Sequence, residues 1–159
     1  MKRISAASIV FTVLVAFSNA VFAETPSHKD ARTFVAQAQI GRNLSILALS
    51  AAKRTNTYVM IATKLGSADA NRAVSSEIKA LLPQYQPEWD ENLAAAYEKS
   101  FSQEELSSLV SEGRASKYAV KVIEQQSEIG RDMQSSSEPI LIALVTEALK
   151  ATLSKYVPK

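Results

Sequence analysis

Glu124 and Glu128 are the residues of this chain best spaced for acid–base chemistry. They stand four positions apart, so in a helix their carboxylates would share one face and could bind a cation or act as acid and base. Lys117, Lys121 and Arg131 lie at nearby helical spacings, and such mixed charge is typical of a solvated surface. A hydrolase that uses this pair is one functional hypothesis, and it requires both carboxylates to be buried together in a cleft.

Other reactive groupings are sparse. The chain has one histidine, His28, and no cysteine, whereas a zinc site or a catalytic relay needs such side chains held rigidly beside partners. We expect His28 to be an exposed residue near a helix cap. The Gly113–Lys117 stretch places two cations at a helix start, a pattern that indicates either an anion site or a plain helix connection. The sequence therefore predicts no catalytic residue, no metal site and no cofactor.

Four aromatic residues are candidates for lining a pocket: Tyr85, Trp89, Tyr97 and Tyr118. Aromatic side chains at helical spacing are also the usual content of a helical core. Both interpretations stay open at this point. One is a packed core cluster, and the other is a site between helices, near Trp89 and Tyr97, for a small apolar or lipid-like molecule.

The first 23 residues have the pattern of a cleavable signal peptide. Lys2 and Arg3 precede an apolar run from Ile9 to Phe17, and a small residue, Ala23, ends the segment. The run is too short to span a bilayer comfortably, whereas a basic start with a short apolar core is typical of a secretory signal. We predict cleavage after Ala23 and a periplasmic location.

Composition limits the partners of the mature chain. Cleavage would remove 23 of 159 residues and leave a single helical domain, residues 24–159, long enough to bury a core without disulfides. It would also remove two of the 18 basic residues, leaving 16 against 16 acidic ones. A chain without excess positive charge is a poor match for nucleic acid. The mature sequence has no second apolar segment of membrane-spanning length, so we expect no transmembrane segment there.

Apolar residues recur at every third or fourth position along the mature chain, and no segment alternates as a half-exposed strand would. This pattern predicts an all-α fold, a compact single-domain bundle of about six or seven helices with short connections. Glycines, prolines and serines divide the predicted helices into residues 27–41, 42–65, 67–81, 87–101, 102–113, 116–136 and 140–156. The last helix has the widest apolar face, and we expect it to be the most buried.

The clearest local signal is a corner between two helices around Ser102. Tyr97 and Phe101 stand four positions apart, so their rings share a helix face. Ser102 and Glu105 form the pattern of a capping box, in which each side chain bonds the other's backbone N–H. Leu106 then begins the apolar stripe of the next helix. We assign these residues a structural role.

The stretch from Tyr97 to Leu109 resembles a family of small exported proteins of Gram-negative bacteria, catalogued as domain of unknown function 2059. The residues that match the family's corner are Tyr97, Phe101, Ser102, Glu104, Glu105 and Leu106. A Ser-Pro-x-Gly-x-Lys step that usually follows in the family is absent from this sequence. The resemblance implies an all-helical periplasmic protein, and it supplies no catalytic residues because none is established for the family.

Two functional hypotheses stand beside the hydrolase. The first is a non-enzymatic interaction or accessory module that binds an unidentified envelope protein. The second is a carrier of a small apolar or lipid-like ligand held between helices. A homodimer is compatible with both, since one helix could keep an apolar edge exposed. The cavities and exposed apolar patches of the folded chain should separate the two hypotheses.

Overall fold

The computed structural model describes residues 24–156, which fold into an all-α bundle. This range contains seven α-helices, two short 3₁₀ turns and no strand, so the predicted fold class is confirmed. The helices are α1 Pro26–Ala38, α2 Leu44–Lys53, α3 Asn56–Leu65, α4 Ser67–Ser100, α5 Gln103–Glu112, α6 Ala119–Glu124 and α7 Gln126–Tyr156. The 3₁₀ turns are Ile40–Asn43 and Gly113–Ala115. The predicted signal peptide, residues 1–23, lies outside the described residues.

The two long helices, α4 and α7, run antiparallel through the centre of the bundle. Lys99 bonds Asp132, and Asn92 bonds Ser137. Towards the other end of the pair, Lys155 bonds Glu77. Between these polar contacts apolar side chains of both helices are buried, among them Ile78, Leu144 and Ala148. In the C-terminal half of α7, Leu144, Ala148 and Leu149 are buried, whereas Ile142 is 58% exposed, and α7 as a whole has no more buried residues than α4.

The predicted break between residues 81 and 87 is wrong, since α4 continues through Pro83 and Pro87. Each proline removes one backbone N–H and so deprives the carbonyl four residues earlier of its bond. Both prolines and Lys79 lie on the exposed side of α4, where water can hydrate those carbonyls. Packing of the opposite face against the bundle then holds the helix together.

The predicted division of the last two helices is also wrong. A turn at Gln125, not the serines at 135–137, separates α6 from α7. Ser135 and Ser136 lie within α7, where both hydroxyls donate to the carbonyl of Asp132. Pro139 is an exposed interior residue of α7 rather than its first turn.

Two polar residues mark helix ends that the apolar pattern did not predict. Thr55 divides residues 42–65, because its hydroxyl caps α3 by accepting from the backbone N–H of Tyr58 at 3.1 Å. Gln39 ends α1 in the left-handed region, at φ 56°. We expected Gly41 to bend or end this helix. It is instead buried beside Asp90 of α4, so close that any Cβ would clash with the Asp90 carboxylate.

Candidate functional site

A cavity of about 710 Å³, open to solvent along its exposed lining residues, lies where the first 3₁₀ turn and α2 face α4 and α7. Its volume is within the range of small-molecule sites in proteins. Six apolar side chains contribute to its wall: Ile40, Leu47, Leu93, Ile129, Met133 and Leu141. Polar side chains from the same helices also line it: Asn43, Arg54, Gln126, Gln134, Ser137 and Glu138. Such a lining suits an apolar molecule that carries a polar group.

A second cavity, of about 780 Å³, lies beside the first. It is bounded by α1, the end of α4, the second 3₁₀ turn and α6. Ile40, Tyr97 and Gln126 line both cavities. The two spaces therefore meet along the same three side chains.

The structure brings together two of the four predicted aromatic residues. Trp89 and Tyr97 are buried on α4 and both line the first cavity, as the carrier hypothesis requires. Tyr85 and Tyr118 line neither cavity. Tyr118 instead donates its hydroxyl to Glu104 at 2.8 Å, and burial, followed by the hydrogen bond and negative charge of Glu147, raises the pKa of Tyr85.

Trp89 has an additional property that a core residue normally lacks. Its side chain is only 6% exposed, and its indole N–H has no acceptor among the described residues. A buried donor without a partner costs about 1–3 kcal/mol, and buried indoles usually find an acceptor. The wall of the first cavity therefore contains an unpaired donor at its only tryptophan.

His28 is not the exposed cap residue that the sequence suggested. It is 17% exposed and lies between two carboxylates of α4, with Nδ1 at 2.7 Å from Glu98 and Nε2 at 2.7 Å from Glu91. Thr25, the cap of α1, donates its hydroxyl to the same Glu98 at 2.6 Å. These contacts hold the start of α1 against α4.

The contacts around His28 shift the pKa values of both His28 and Glu98. Burial lowers the pKa of His28, but the hydrogen bonds and charges of Glu91 and Glu98 outweigh burial and raise it above its ordinary value. The bond from Thr25, and then the bond and charge of His28, hold the pKa of Glu98 below its ordinary value against the effect of burial. The contacts with Glu91 and Glu98 therefore favour the protonated form of His28.

The corner around Ser102 has the predicted geometry. The Ser102 hydroxyl accepts from the backbone N–H of Glu105 at 3.4 Å, and the Glu105 carboxylate accepts from the backbone N–H of Ser102 at 2.8 Å. The rings of Tyr97 and Phe101 stack with centroids 5.7 Å apart, and Leu106 is fully buried. The predicted structural role of the corner is confirmed by these contacts.

The sequence did not indicate how the corner is tied to α6. Lys121 donates to both oxygens of Glu105, at 2.7 and 2.9 Å, and its ammonium lies 4.8 Å from the centre of the Phe101 ring. The bond from Lys121, and then that from the backbone of Ser102, lowers the pKa of Glu105. Glu105 thus serves both as a helix cap and as the anchor of α6.

The remaining candidates do not form a reactive site. Glu124 and Glu128 are both exposed, on α6 and α7, so the buried cleft that the hydrolase hypothesis requires is not formed by this pair. The Gly113–Lys117 stretch is a connection tied by the buried hydroxyl of Ser116, which bonds Ser108 at 2.8 Å. Between residues 24 and 156, no group of three or more His, Asp and Glu side chains has metal-binding geometry.

Searches against protein-family models, curated proteins and solved structures found no match to this chain. The resemblance of Tyr97–Leu109 to the exported family therefore stays a prediction. None of the helices described for residues 24–156 combines the length and hydrophobicity needed to cross a bilayer.

Proposed function

We propose that this protein is a periplasmic carrier of a small apolar or lipid-like ligand, bound between helices in the cavity beside Trp89 and Tyr97. The observation that carries the proposal is the position of these two aromatic side chains on the wall of a 710 Å³ cavity. Export rests on the signal-peptide pattern of the first 23 residues, which is a prediction from sequence.

Part of the apolar surface that lines this cavity is not covered by other side chains. Helical bundles normally fill the space between helices to the density of an organic crystal. Here Leu47, which is 40% exposed, and the half-buried Ile40 and Leu141 line a cavity, and a ligand would cover the apolar surface that they present. Each methylene removed from water would contribute about 0.8 kcal/mol to binding.

Trp89 makes a direct test simple, because it is the only tryptophan of the chain. We expect a neutral apolar fluorophore, N-phenyl-1-naphthylamine, to quench Trp89 emission by energy transfer and to saturate at one molecule per protein. Native mass spectrometry of protein purified from its own periplasm should reveal an added mass. A clean apo mass together with no saturable quenching would contradict the proposal.

Gly130 offers a variant that blocks the cavity without damaging the fold. It lines the cavity, and nothing lies within 4 Å of a Cβ placed there. Gly130→Leu should therefore fill part of the cavity and weaken probe binding at least tenfold, while removing a helical glycine that costs about 1 kcal/mol. Ser127→Leu, on an exposed position of α7 that lines neither cavity, is the matched control and should bind normally.

A protein-interaction module is the second candidate, favoured by apolar side chains that face solvent. Ile46 on α2 and Val59 and Met60 on α3 are each more than half exposed. Such side chains are typical of a surface that binds a partner, here an envelope protein, or a second copy of the chain. A pull-down from envelope extract should lose its enriched protein when Val59 and Met60 are changed to Ser, and sedimentation would detect a homodimer.

A further inference from the structure

The ligand's class can be narrowed from the way the two cavities meet, on the basis of the function proposed above. We propose that both cavities together bind one single-chain anionic amphiphile. Its charged head lies at Arg114, and its hydrocarbon chain passes Tyr97 and Gln126 into the cavity lined by Trp89.

The shared wall is the first step of the argument. Ile40, Tyr97 and Gln126 line both cavities, so the two spaces are adjacent along these residues. Each cavity alone has the volume of an ordinary small-molecule site. A compact ligand would use only one of them, whereas a long flexible chain can occupy both.

The distribution of charge is the second step. The cavity beside Trp89 is lined by one positive and one negative side chain, Arg54 and Glu138. In the second cavity Arg114 is the only charged lining residue. Arg114 forms no ion pair within residues 24–156. An anionic head is therefore favoured at the Arg114 end.

The lining of the remaining space suits a hydrocarbon chain. Phe34, Leu109 and Val122 line the second cavity, and Leu93 and Met133 line the first. These side chains come from α1, α4, α5, α6 and α7. A carboxylate at Arg114 would keep its charge near water, since Arg114 is exposed, while its chain is removed from water between these helices.

The experiment is a chain-length series with the full mature protein, stripped of bound lipid. Saturated fatty acids of 8 to 16 carbons, below their micellar concentrations, are titrated against Trp89 fluorescence. The dissociation constant should fall about fourfold for each added methylene along the series. If no chain binds at all, the proposed function fails as well. If octanoate binds and longer chains bind no better, carriage stands and the shared site is overturned.

Gln126→Phe tests the junction between the cavities. Gln126 is an exposed residue at the start of α7, so the larger ring should narrow the passage without disturbing the core. The variant should bind the shortest acid normally and gain nothing from longer chains. Ser127→Phe is the matched control and should follow the wild-type series. A junction variant that behaves as wild type would overturn the shared site.

Arg114→Gln tests the position of the head. It should weaken binding of a long-chain acid about tenfold, the scale of one charge-assisted hydrogen bond near the surface, and leave the alcohol of equal length unchanged. Arg131→Gln, at an exposed position of α7 that lines neither cavity, is the control and should change neither. Equal losses in the two variants, or a loss with Arg131→Gln alone, would overturn the assignment of the head to Arg114.

Discussion

The two sides of α4 differ in the contacts that hold them to their neighbours. On one side, α1 and the corner cover the helix with aromatic rings, and the Phe34 and Tyr97 centroids are 5.3 Å apart. His28 adds charged hydrogen bonds to the same side. On the α1 side, α4 is thus held by paired aromatic rings and charged hydrogen bonds, although Phe34 and Tyr97 also border the second cavity. On the other side, the first cavity separates Trp89 and Leu93 from α2.

The largest expected difference between the two sides is in the free energy of unfolding that is lost when a leucine is replaced by alanine. Leu106 is fully buried on α5, which packs on α1, whereas Leu47 is 40% exposed at the cavity. Leu106→Ala should lower the free energy of unfolding by about 3 kcal/mol, because it leaves a hole in packed core. Leu47→Ala should cost less than about 1 kcal/mol. Urea unfolding followed by Trp89 fluorescence measures both, and equal losses would contradict the comparison.

The helix cap at the corner should have a smaller effect. Ser102→Ala removes the hydroxyl that accepts from the backbone of Glu105, so we expect a loss of about 1 kcal/mol in the free energy of unfolding. Ser107→Ala, at an exposed interior position of the same helix, is the control and should change stability by no more than about 0.5 kcal/mol. The prediction fails if both variants unfold at the same urea concentration.

The smallest effect concerns the tether of α1 and depends on pH. The pKa of His28 is raised on folding, so its contribution to stability is fully present below about pH 6.5, its unfolded value, and is lost as pH rises through the higher folded value. The wild type should therefore lose stability, on the order of 1 kcal/mol, between pH 6 and pH 9. His28→Gln should lack this loss.

Arg32→Gln is the control for the His28 prediction. Arg32 lies 3.4 Å from the same Glu91 carboxylate, but a guanidinium does not titrate in this range. Its variant should keep the wild-type dependence on pH between 6 and 9. If the loss of stability persists in His28→Gln, another group is responsible for it.

Local chemistry was enough to predict part of this architecture. The capping box at Ser102 and the stacked pair of Tyr97 and Phe101 involve residues no more than four positions apart, so their spacing alone specifies the contact. The end of α5 at Gly113 follows from the same kind of signal, since this glycine has a positive φ of 57°. The sequence predicted four aromatic residues for the candidate pocket. Only two of them, Trp89 and Tyr97, line the cavity.

Helix boundaries at Pro83, Pro87 and Pro139 could not be predicted in this way. The propensity of proline to break a helix is a local penalty, and its outcome depends on what the rest of the bundle contributes. Burial along α4 and α7 is extensive, and their prolines face solvent. The tertiary contacts therefore outweigh the local penalty of each proline. The sequence pattern by itself does not show how strong those contacts are.

The amino-acid sequence alone determined the all-α class and the Ser102 corner, because apolar periodicity and caps act between neighbours in the chain. Only the tertiary structure decided that His28 would lie between Glu91 and Glu98, 63 and 70 positions away. The same is true of the cavities, whose walls come from helices distant in sequence. Packing defects and long-range hydrogen bonds arise from how whole helices meet, and no short stretch of sequence contains that information.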